Sequence, residues 1–210
     1  MSAYFHSYLC GRKAAEWLIN MEGVLSRTLA VTDTLKEILS GVSEQEIEAV
    51  LQELLRVKRE NKKVYTIAAG RANLIMRTFA MRLMQIGFRS YVVFDTNTPA
   101  IEAGDLLIAG SGSGTTETVC VIARQAKERG ARLVLISKNN TAPLAREADA
   151  VLQIPTQLCT QKLQTKGSEF EQSLFILCDN IGVELMLRLG CIRQIRDIDP
   201  FIRVLHANLQ

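Results

Sequence analysis

The chain has 210 residues, of which 48% are hydrophobic and 22% are charged, and its formal net charge is +3. These values are typical of a globular protein and exclude a disordered or low-complexity chain. Basic and acidic residues are interspersed, so no basic stripe predicts a nucleic-acid partner. No apolar run is long enough to cross a bilayer, and Met1–His6 lacks the basic-then-apolar order of a signal peptide. We therefore expect no membrane partner.

The cysteines and histidines have no spacing that predicts a metal site. The five cysteines are far apart without a C-x-x-C pair, and the two histidines lie at opposite ends of the chain. The cysteines are Cys10, Cys120, Cys159, Cys178 and Cys191. We expect a reduced, cytoplasmic protein that uses no metal and no cofactor.

Residues 1–60 have helical periodicity and are predicted to form an N-terminal helical extension. Alternating steps of three and four residues predict an apolar stripe for another helix, with a second subunit as one candidate. The stripe consists of Leu18, Met21, Leu25, Thr28, Thr32, Leu35 and Leu39. After Gly41, the capping box Ser43–Glu46 predicts the start of a second helix. We expect this extension to support a homo-oligomer, a tetramer or failing that a dimer.

From Lys63 onward, short β-rich runs alternate with helical stretches. The predicted strands are Val64–Ala69, Ser90–Phe94, Leu106–Ala109, Arg132–Ser137 and Ala150–Ile154. The predicted helices are Ala72–Ile86, Thr116–Arg129 and Ser168–Leu189, with a short helix towards the C-terminus. Runs that are apolar on both faces and separated by helices indicate an α/β fold with a doubly wound, five-stranded parallel sheet of flavodoxin-like type. Ligands in such folds bind beyond the carboxyl ends of the strands.

Two loops follow predicted strands and open helices, and the second has the composition of a phosphate site. The first loop is Ala69–Asn73; the second, Gly110–Thr116, is here called the phosphate loop. Its three glycines let the backbone approach a ligand closely, and its serine and threonine hydroxyls can donate hydrogen bonds to a phosphate. The N-terminus of the following helix supplies free N–H groups at the same place. It is neither a Walker loop nor a dinucleotide loop, because the lysine and the glycine spacing of those motifs are absent. A flexible serine-rich turn without a ligand is the alternative.

Several motifs resemble one known family. The run S-G-S-G-T-T-E-T-V at 111–119 resembles the signature of sugar isomerase (SIS) domains, which bind phosphosugars. Other motifs are similar to those of 6-phospho-3-hexuloisomerases: Phe79–Met84, Gly87-Phe88, Thr98-Pro99, Gly104–Ile108, Gly167-Ser168, Phe170–Ser173 and His206–Leu209. The resemblance covers roughly residues 60–210, so we expect a phosphosugar-binding domain over 61–210.

The resemblance implies roles for particular residues. It implies phosphate contacts from Ser111, Ser113 and Thr116 and catalysis by Glu171 and His206. We also expect substrate contacts from Gly70 and Arg71, which lie in the first of the two ligand loops, and from Ser168. Glu171 would be the base that moves protons between adjacent sugar carbons, and His206 would reach a neighbouring subunit's site.

Three of these residues have a structural alternative. Glu171 also fits the third helical position of a capping box that starts at Ser168. Arg71 fits a surface ion pair, and His206 fits a solvated tail.

The chain departs from the family pattern in three places, one of which is an N-terminal helical extension longer than a minimal hexuloisomerase needs. Similar proteins carry G-R-S-G where this chain has Gly70–Asn73, so Ala72 removes a hydroxyl expected near the substrate. The turn before the predicted helix Ser168–Leu189 also differs from the family pattern, and it contains Lys166.

The resemblance implies interconversion of D-arabino-hex-3-ulose 6-phosphate and fructose 6-phosphate. An aldose–ketose isomerase of the same fold and a non-catalytic phosphosugar regulator remain the alternatives.

Overall fold

The computed structural model describes residues 23–159 and 163–205, in which helices and strands alternate. The helices are α1 (Val24–Ser40), α2 (Glu44–Arg59), α3 (Gly70–Gln85), α4 (Glu117–Glu128), α5 (Pro143–Glu147), α6 (Ser168–Arg188) and α7 (Ile198–Leu205). The strands are β1 (Lys63–Ala68), β2 (Arg89–Val92), β3 (Leu106–Gly110), β4 (Arg132–Ser137) and β5 (Ala150–Gln153). Single 3-10 turns lie at Thr156–Leu158 and Ile195–Asp197.

The five strands form one parallel sheet in the order β2-β1-β3-β4-β5, which confirms the predicted fold class. The order reverses between β1 and β3, and this is where such folds bind ligands. Ala68 is in register with Gly110, the last residues of these two strands. The loops that follow β1 and β3 therefore start side by side at the carboxyl edge of the sheet.

Alternate side chains of the strands enter two cores, one on each face of the sheet. Val64, Leu106 and Ile108 belong to the core shared with α2, α3 and α6. Tyr65 and Leu107 belong to the core shared with α4 and α5. Burial on both faces explains why the strands read as continuous apolar runs.

Gly87 and Gly130 end α3 and α4 at the predicted positions. Their φ values are 85° and 80°, in the left-handed region that terminates helices. The predicted extension of β2 to Phe94 is wrong. Phe94 adopts φ 75°, and Asp95 N donates to the Val92 carbonyl, so the chain turns at the end of the strand.

Only part of the predicted stripe packs within the molecule in the described part of the N-terminal helix. Helix α1 begins only at Val24, because Gly23 has extended backbone (φ −110°, ψ 157°). The buried side chains of α1 are Ala30, Thr34, Leu35 and Ile38, and the helix packs against α6. Leu35 of the predicted stripe is buried, whereas Leu25 stays 71% exposed. Leu18 and Met21 lie outside the described residues.

Only half of the predicted capping box at α2 forms. Ser43 Oγ accepts from Glu46 N at 3.4 Å. Glu46 Oε2 instead accepts from Gln153 N at 2.7 Å. The carboxylate thereby satisfies a backbone donor of the edge strand β5, which has no neighbouring strand on its outer side.

In the part of the chain that the structure describes, no helix combines the length and the apolarity needed to cross a bilayer.

Candidate functional site

The phosphate loop is closed by hydrogen bonds around Ser111. This residue is 3% exposed, and its Oγ accepts from Gly114 N at 3.2 Å and lies 3.2 Å from Thr116 Oγ1. Gly114 has φ 67°, which a glycine adopts without strain. The loop therefore brings the two predicted ligands Ser111 and Thr116 together.

The N-terminus of α4 lies directly behind this loop. Thr116 is its N-cap residue, and no side chain caps the first turn. Unpaired first-turn N–H groups and the positive end of the helix dipole favour an anion at this place. Ser113 lies on the exposed rim of the loop, where its Oγ accepts from Thr115 N at 3.2 Å. The arrangement is suited to bind a phosphate group.

The phosphate loop lies against the first turn of α6. A Cβ built at Gly112 would be 3.2 Å from Cδ1 of Phe170, whose side chain is 4% exposed. A glycine at position 112 allows this close approach. The first turn of α6, which also carries Glu171, therefore packs against the phosphate loop.

Arg71 connects the first loop to the same turn of α6. Its Nε lies 3.1 Å from Glu171 Oε2, and its Nη1 donates to Ser168 Oγ at 3.2 Å. The preceding Gly70 is exposed at φ 58°, and a Cβ there would meet nothing within 4 Å. Arg71 therefore does form an ion pair, but with the predicted catalytic carboxylate.

The Glu171 carboxylate is set back in the protein. Its side chain is 16% exposed, whereas that of Arg71 is 60% exposed. Oε2 is buried, and no group of the described residues donates a hydrogen bond to it, because the Arg71 contact is close but poorly aligned. A buried carboxylate oxygen with free lone pairs is suited to accept a proton from a ligand.

The capping-box alternative for Glu171 is wrong. The N-cap of α6 is Gly167 in the left-handed conformation (φ 97°), so Ser168 is already helical. Ser168 is 3% exposed, and its Oγ lies 2.9 Å from Thr165 Oγ1. The left-handed turn at Gly167 starts the helix one residue earlier than the pattern indicates, and this frees the Glu171 side chain from capping.

Position 72, where the sequence analysis expects a missing hydroxyl, is a buried position in the first turn of α3. Ala72 is 8% exposed and belongs to the core shared with Met76 and Phe79. Asn73 Oδ1 accepts from Ala68 N at 3.3 Å, so this amide satisfies a donor at the end of β1. The departure from the G-R-S-G pattern therefore affects the packing of α3 at Ala72 and the hydrogen bonding at the end of β1 through Asn73.

A groove of about 510 Å³ opens beside the Arg71–Glu171 pair. Its walls are α1, α3 and α6, and they consist mainly of apolar side chains. The lining residues are Thr28, Val31, Thr32, Leu35, Arg71, Leu74, Ile75, Glu171, Gln172, Phe175 and Ile176. Sequence reasoning missed this groove, although three of the stripe residues named above line it.

Two predicted features lie outside this geometry. His206 falls outside the described residues. Within residues 23–159 and 163–205, histidine, cysteine and carboxylate side chains form no group of three that could hold a metal ion. The four cysteines in those ranges are free thiols.

Comparison with known proteins gives relatives of similar length. A 3-hexulose-6-phosphate isomerase of Mycobacterium gastri is 38% identical over 156 residues, which are 72% of this chain and 76% of that protein. An uncharacterized protein of Aeropyrum pernix is 32% identical over 87% of this chain and 88% of its own.

A solved structure shares the fold. A Methanococcus jannaschii crystal structure, from which a 3-hexulose-6-phosphate isomerase function was inferred, superimposes with a TM-score of 0.72 at 29% identity. The match covers 86% of this chain and 97% of that one. The family model of the SIS domain matches residues 59–166, which include both ligand loops. This chain belongs to the SIS domain family.

Proposed function

We propose that the chain is a 6-phospho-3-hexuloisomerase, which interconverts D-arabino-hex-3-ulose 6-phosphate and fructose 6-phosphate. The observation that carries the proposal is the set-back carboxylate of Glu171, which contacts Arg71 and lies on the turn of α6 whose Phe170 packs against the phosphate loop. The chain is an isomerase, as its named relatives are. The finer assignment of the sugar rests on the match to these relatives and on the site described above.

The phosphate loop would hold the substrate by its phosphate group. Ser111, Ser113 and Thr116 supply hydroxyls, and the first-turn amides of α4 supply N–H donors. The phosphate group is remote from the reacting carbons and takes no part in the chemistry. Its binding energy positions those carbons for the reaction. Gly70 leaves open space at the opposite loop, where the sugar chain can pass close to the backbone.

Glu171 would act as the base of a 2,3-enediol mechanism. From fructose 6-phosphate it takes the proton on C3, so that the C3–H electron pair forms the C2–C3 double bond and the C2 carbonyl oxygen gains a proton. Return of the proton to C2, with loss of the O3 hydroxyl proton, gives the 3-ketose. One carboxylate on one face of the enediol can perform both carbon transfers.

A second group has to stabilise the oxygens on C2 and C3 of the enediol and move protons between them. The Arg71 guanidinium and the Ser168 hydroxyl lie beside the Glu171 carboxylate and can donate hydrogen bonds to O2 and O3 of the enediol. His206 is the proposed group that moves protons between these oxygens, because imidazole changes charge near neutral pH.

The proposal includes the organisation of the chain. Residues 61–210 would form the phosphosugar domain, and residues 1–60 the extension that supports a homotetramer or a dimer in the cytoplasm. Exposed methionines of α3, Met81 (46%) and Met84 (52%), are available for such contacts. Light scattering tests this part, and a monodisperse monomer would contradict it.

Proton NMR of fructose 6-phosphate with the protein in D₂O tests the reaction. Loss of the C3 proton signal, or the appearance of the 3-ketose, is the expected result. Loss at C1 would assign an aldose–ketose isomerase instead. Saturation transfer to the sugar with unchanged sugar protons and no new ketose would contradict catalysis on this sugar and favour a phosphosugar regulator.

A further inference from the structure

We propose that Gln164 and Gln172 form a clasp that positions Glu171, the proposed base, and that Gln164 is a positioning residue acting through Gln172. The clasp serves the proposed reaction, so its role rests on that function. It gives a purpose to residues 164–167, the turn before α6, where the chain departs from the family pattern.

The two amides of the clasp form a reciprocal pair. Gln164 Nε2 donates to Gln172 Oε1 at 2.8 Å, and Gln172 Nε2 donates to Gln164 Oε1 at 2.8 Å. Two hydrogen bonds between the same two amides fix their relative orientation, which a single bond would leave free to rotate. Both side chains are partly buried, so the loss of either amide leaves the other without this partner. The pair therefore ties the turn to α6.

The turn depends on such side-chain contacts, because no side chain of the described residues caps the N-terminus of α6. Thr165 holds the start of the helix in two ways. Its carbonyl accepts from Ser168 N at 3.1 Å, and the hydroxyl oxygens of these two residues lie 2.9 Å apart. Gln164 directly precedes Thr165, so the clasp fixes the residue that holds Ser168.

The backbone of the same turn lies against the Glu171 carboxylate. A Cβ built at Gly167 would be 3.9 Å from Glu171 Oε1, and Glu171 N donates to the Gly167 carbonyl at 3.0 Å. Ser168 Oγ accepts from Arg71, which is the ion-pair partner of that carboxylate. A shift of the turn therefore changes the surroundings of the base through both contacts. Misplacement of a catalytic group by about 1 Å can slow a reaction about 100-fold.

The proposed phosphate ligands belong to a different part of the molecule, the phosphate loop and the first turn of α4. The groove beside the Arg71–Glu171 pair is lined by Gln172 but not by Gln164. Gln164 therefore reaches the site only through its partner amide. Its loss should lower kcat while the phosphosugar is still held by its phosphate group.

Gln164→Ala tests the clasp through the rate of hydrogen exchange at C3 of fructose 6-phosphate. We expect kcat to fall about 10- to 100-fold, with KM within a few-fold of the unsubstituted value. The double variant Gln164→Ala/Gln172→Ala should be no slower than the slower single variant, because both substitutions remove the same pair. Gln52→Ala is the matched control and should keep kcat, since Gln52 donates an amide hydrogen bond to Glu48 at 2.7 Å on α2.

Limited trypsin digestion tests the clasp without turnover. Lys166 is an exposed residue of the turn, and local opening gives the protease access to the bond that follows it. Gln164→Ala should accelerate cleavage after Lys166 several-fold, measured by mass spectrometry of the fragments, whereas Gln52→Ala should not. Thr165→Val, which removes the hydroxyl contact to Ser168 at similar volume, is the second variant. Far-UV circular dichroism checks that each variant folds.

Three results would overturn the clasp. A folded Gln164→Ala with lowered Tm and unchanged kcat would leave the pair a structural role alone. Losses of kcat that add in the double variant would show that the two amides act separately. An unchanged rate of cleavage after Lys166 would show that the pair does not hold the turn. Absence of C3 exchange by the unsubstituted protein would instead refute the proposed reaction, and the trypsin rates would still decide whether the clasp holds the turn.

Discussion

Arg71 and Glu171 form an ion pair, with 3.1 Å between Nε and Oε2, that joins the start of α3 to the start of α6. The two residues follow different loops at the carboxyl edge of the sheet. Their contact therefore depends on the fold and defines where a sugar would meet a base. The same guanidinium donates to Ser168, so it also sets the position of that hydroxyl.

Replacement of Arg71 tests whether this guanidinium takes part in the reaction. Arg71→Gln is expected to lower kcat/KM for fructose 6-phosphate about 10- to 100-fold, because a hydrogen bond to a charged group contributes about 1.5–3 kcal/mol. Arg77→Gln is the matched control on the same helix, since Arg77 forms an exposed two-point pair with Asp95 (2.6 and 3.0 Å). Equal effects of both substitutions in steady-state assays would remove Arg71 from the site.

Ser111→Ala tests the phosphate loop. The substitution removes the acceptor of Gly114 N, so we expect the free energy of unfolding to fall by about 1–3 kcal/mol. We also expect the rise in Tm caused by fructose 6-phosphate to be largely lost. Thr115→Ala, at an exposed position of the same loop, should keep that rise. A full ligand-induced rise in Ser111→Ala, measured by differential scanning fluorimetry, would contradict the assigned phosphate site.

Two glycine positions with left-handed backbone should respond differently to alanine. Gly114 and Gly70 have φ 67° and 58°, so each substitution is expected to cost about 1–2 kcal/mol of backbone strain. A Cβ at Gly114 would also collide with Ala142, whereas a Cβ at Gly70 meets open space. Overpacking should add about 1–3 kcal/mol at Gly114. Urea unfolding midpoints measure the difference, and a larger loss at Gly70 would contradict the described loop geometry.

Asp149 gives a prediction about pH. Burial of its carboxyl opposes ionisation, but hydrogen bonds from Lys127 Nζ (2.8 Å) and Leu133 N (2.7 Å) outweigh this and hold its pKa below the usual range. A lowered pKa in the folded state stabilises the protein above the unfolded pKa of about 4, and this stabilisation is lost as pH falls through the folded value. Asp149→Asn should therefore lower Tm at pH 7, with a smaller difference near pH 3. A difference that stays constant between these pH values would contradict the assignment.

The parallel sheet could be predicted because its strands are buried on both faces, which leaves continuous apolar runs such as Leu106–Ala109. The ends of α3 and α4 could be predicted because a helix often ends at a residue with positive φ, which glycine adopts without strain, as Gly87 and Gly130 do. These signals are local, so the sequence carries them directly.

Tertiary contacts decided the features that sequence reasoning missed. The N-cap of α6 was predicted at Ser168, whose side chain is typical of a cap. The left-handed turn at Gly167 makes Gly167 the N-cap instead. The burial of Ala30, Thr34 and Ile38 on α1 was not predicted, because it depends on packing against α6. Likewise, the burial of Ala72 depends on the neighbouring core, which no local pattern reports.

Hydrogen exchange at C3 of fructose 6-phosphate in D₂O, catalysed by Glu171→Gln and by Glu169→Gln, tests directly whether Glu171 is the base. Both carboxylates lie in the first turn of α6, so the second variant controls for charge at the helix start. We expect Glu171→Gln to slow exchange by at least about 100-fold, the usual contribution of a general base, while the Kd for the phosphosugar stays within a few-fold. Glu169→Gln should exchange at nearly the unsubstituted rate. Retained exchange in Glu171→Gln would contradict the assignment of Glu171 as the base.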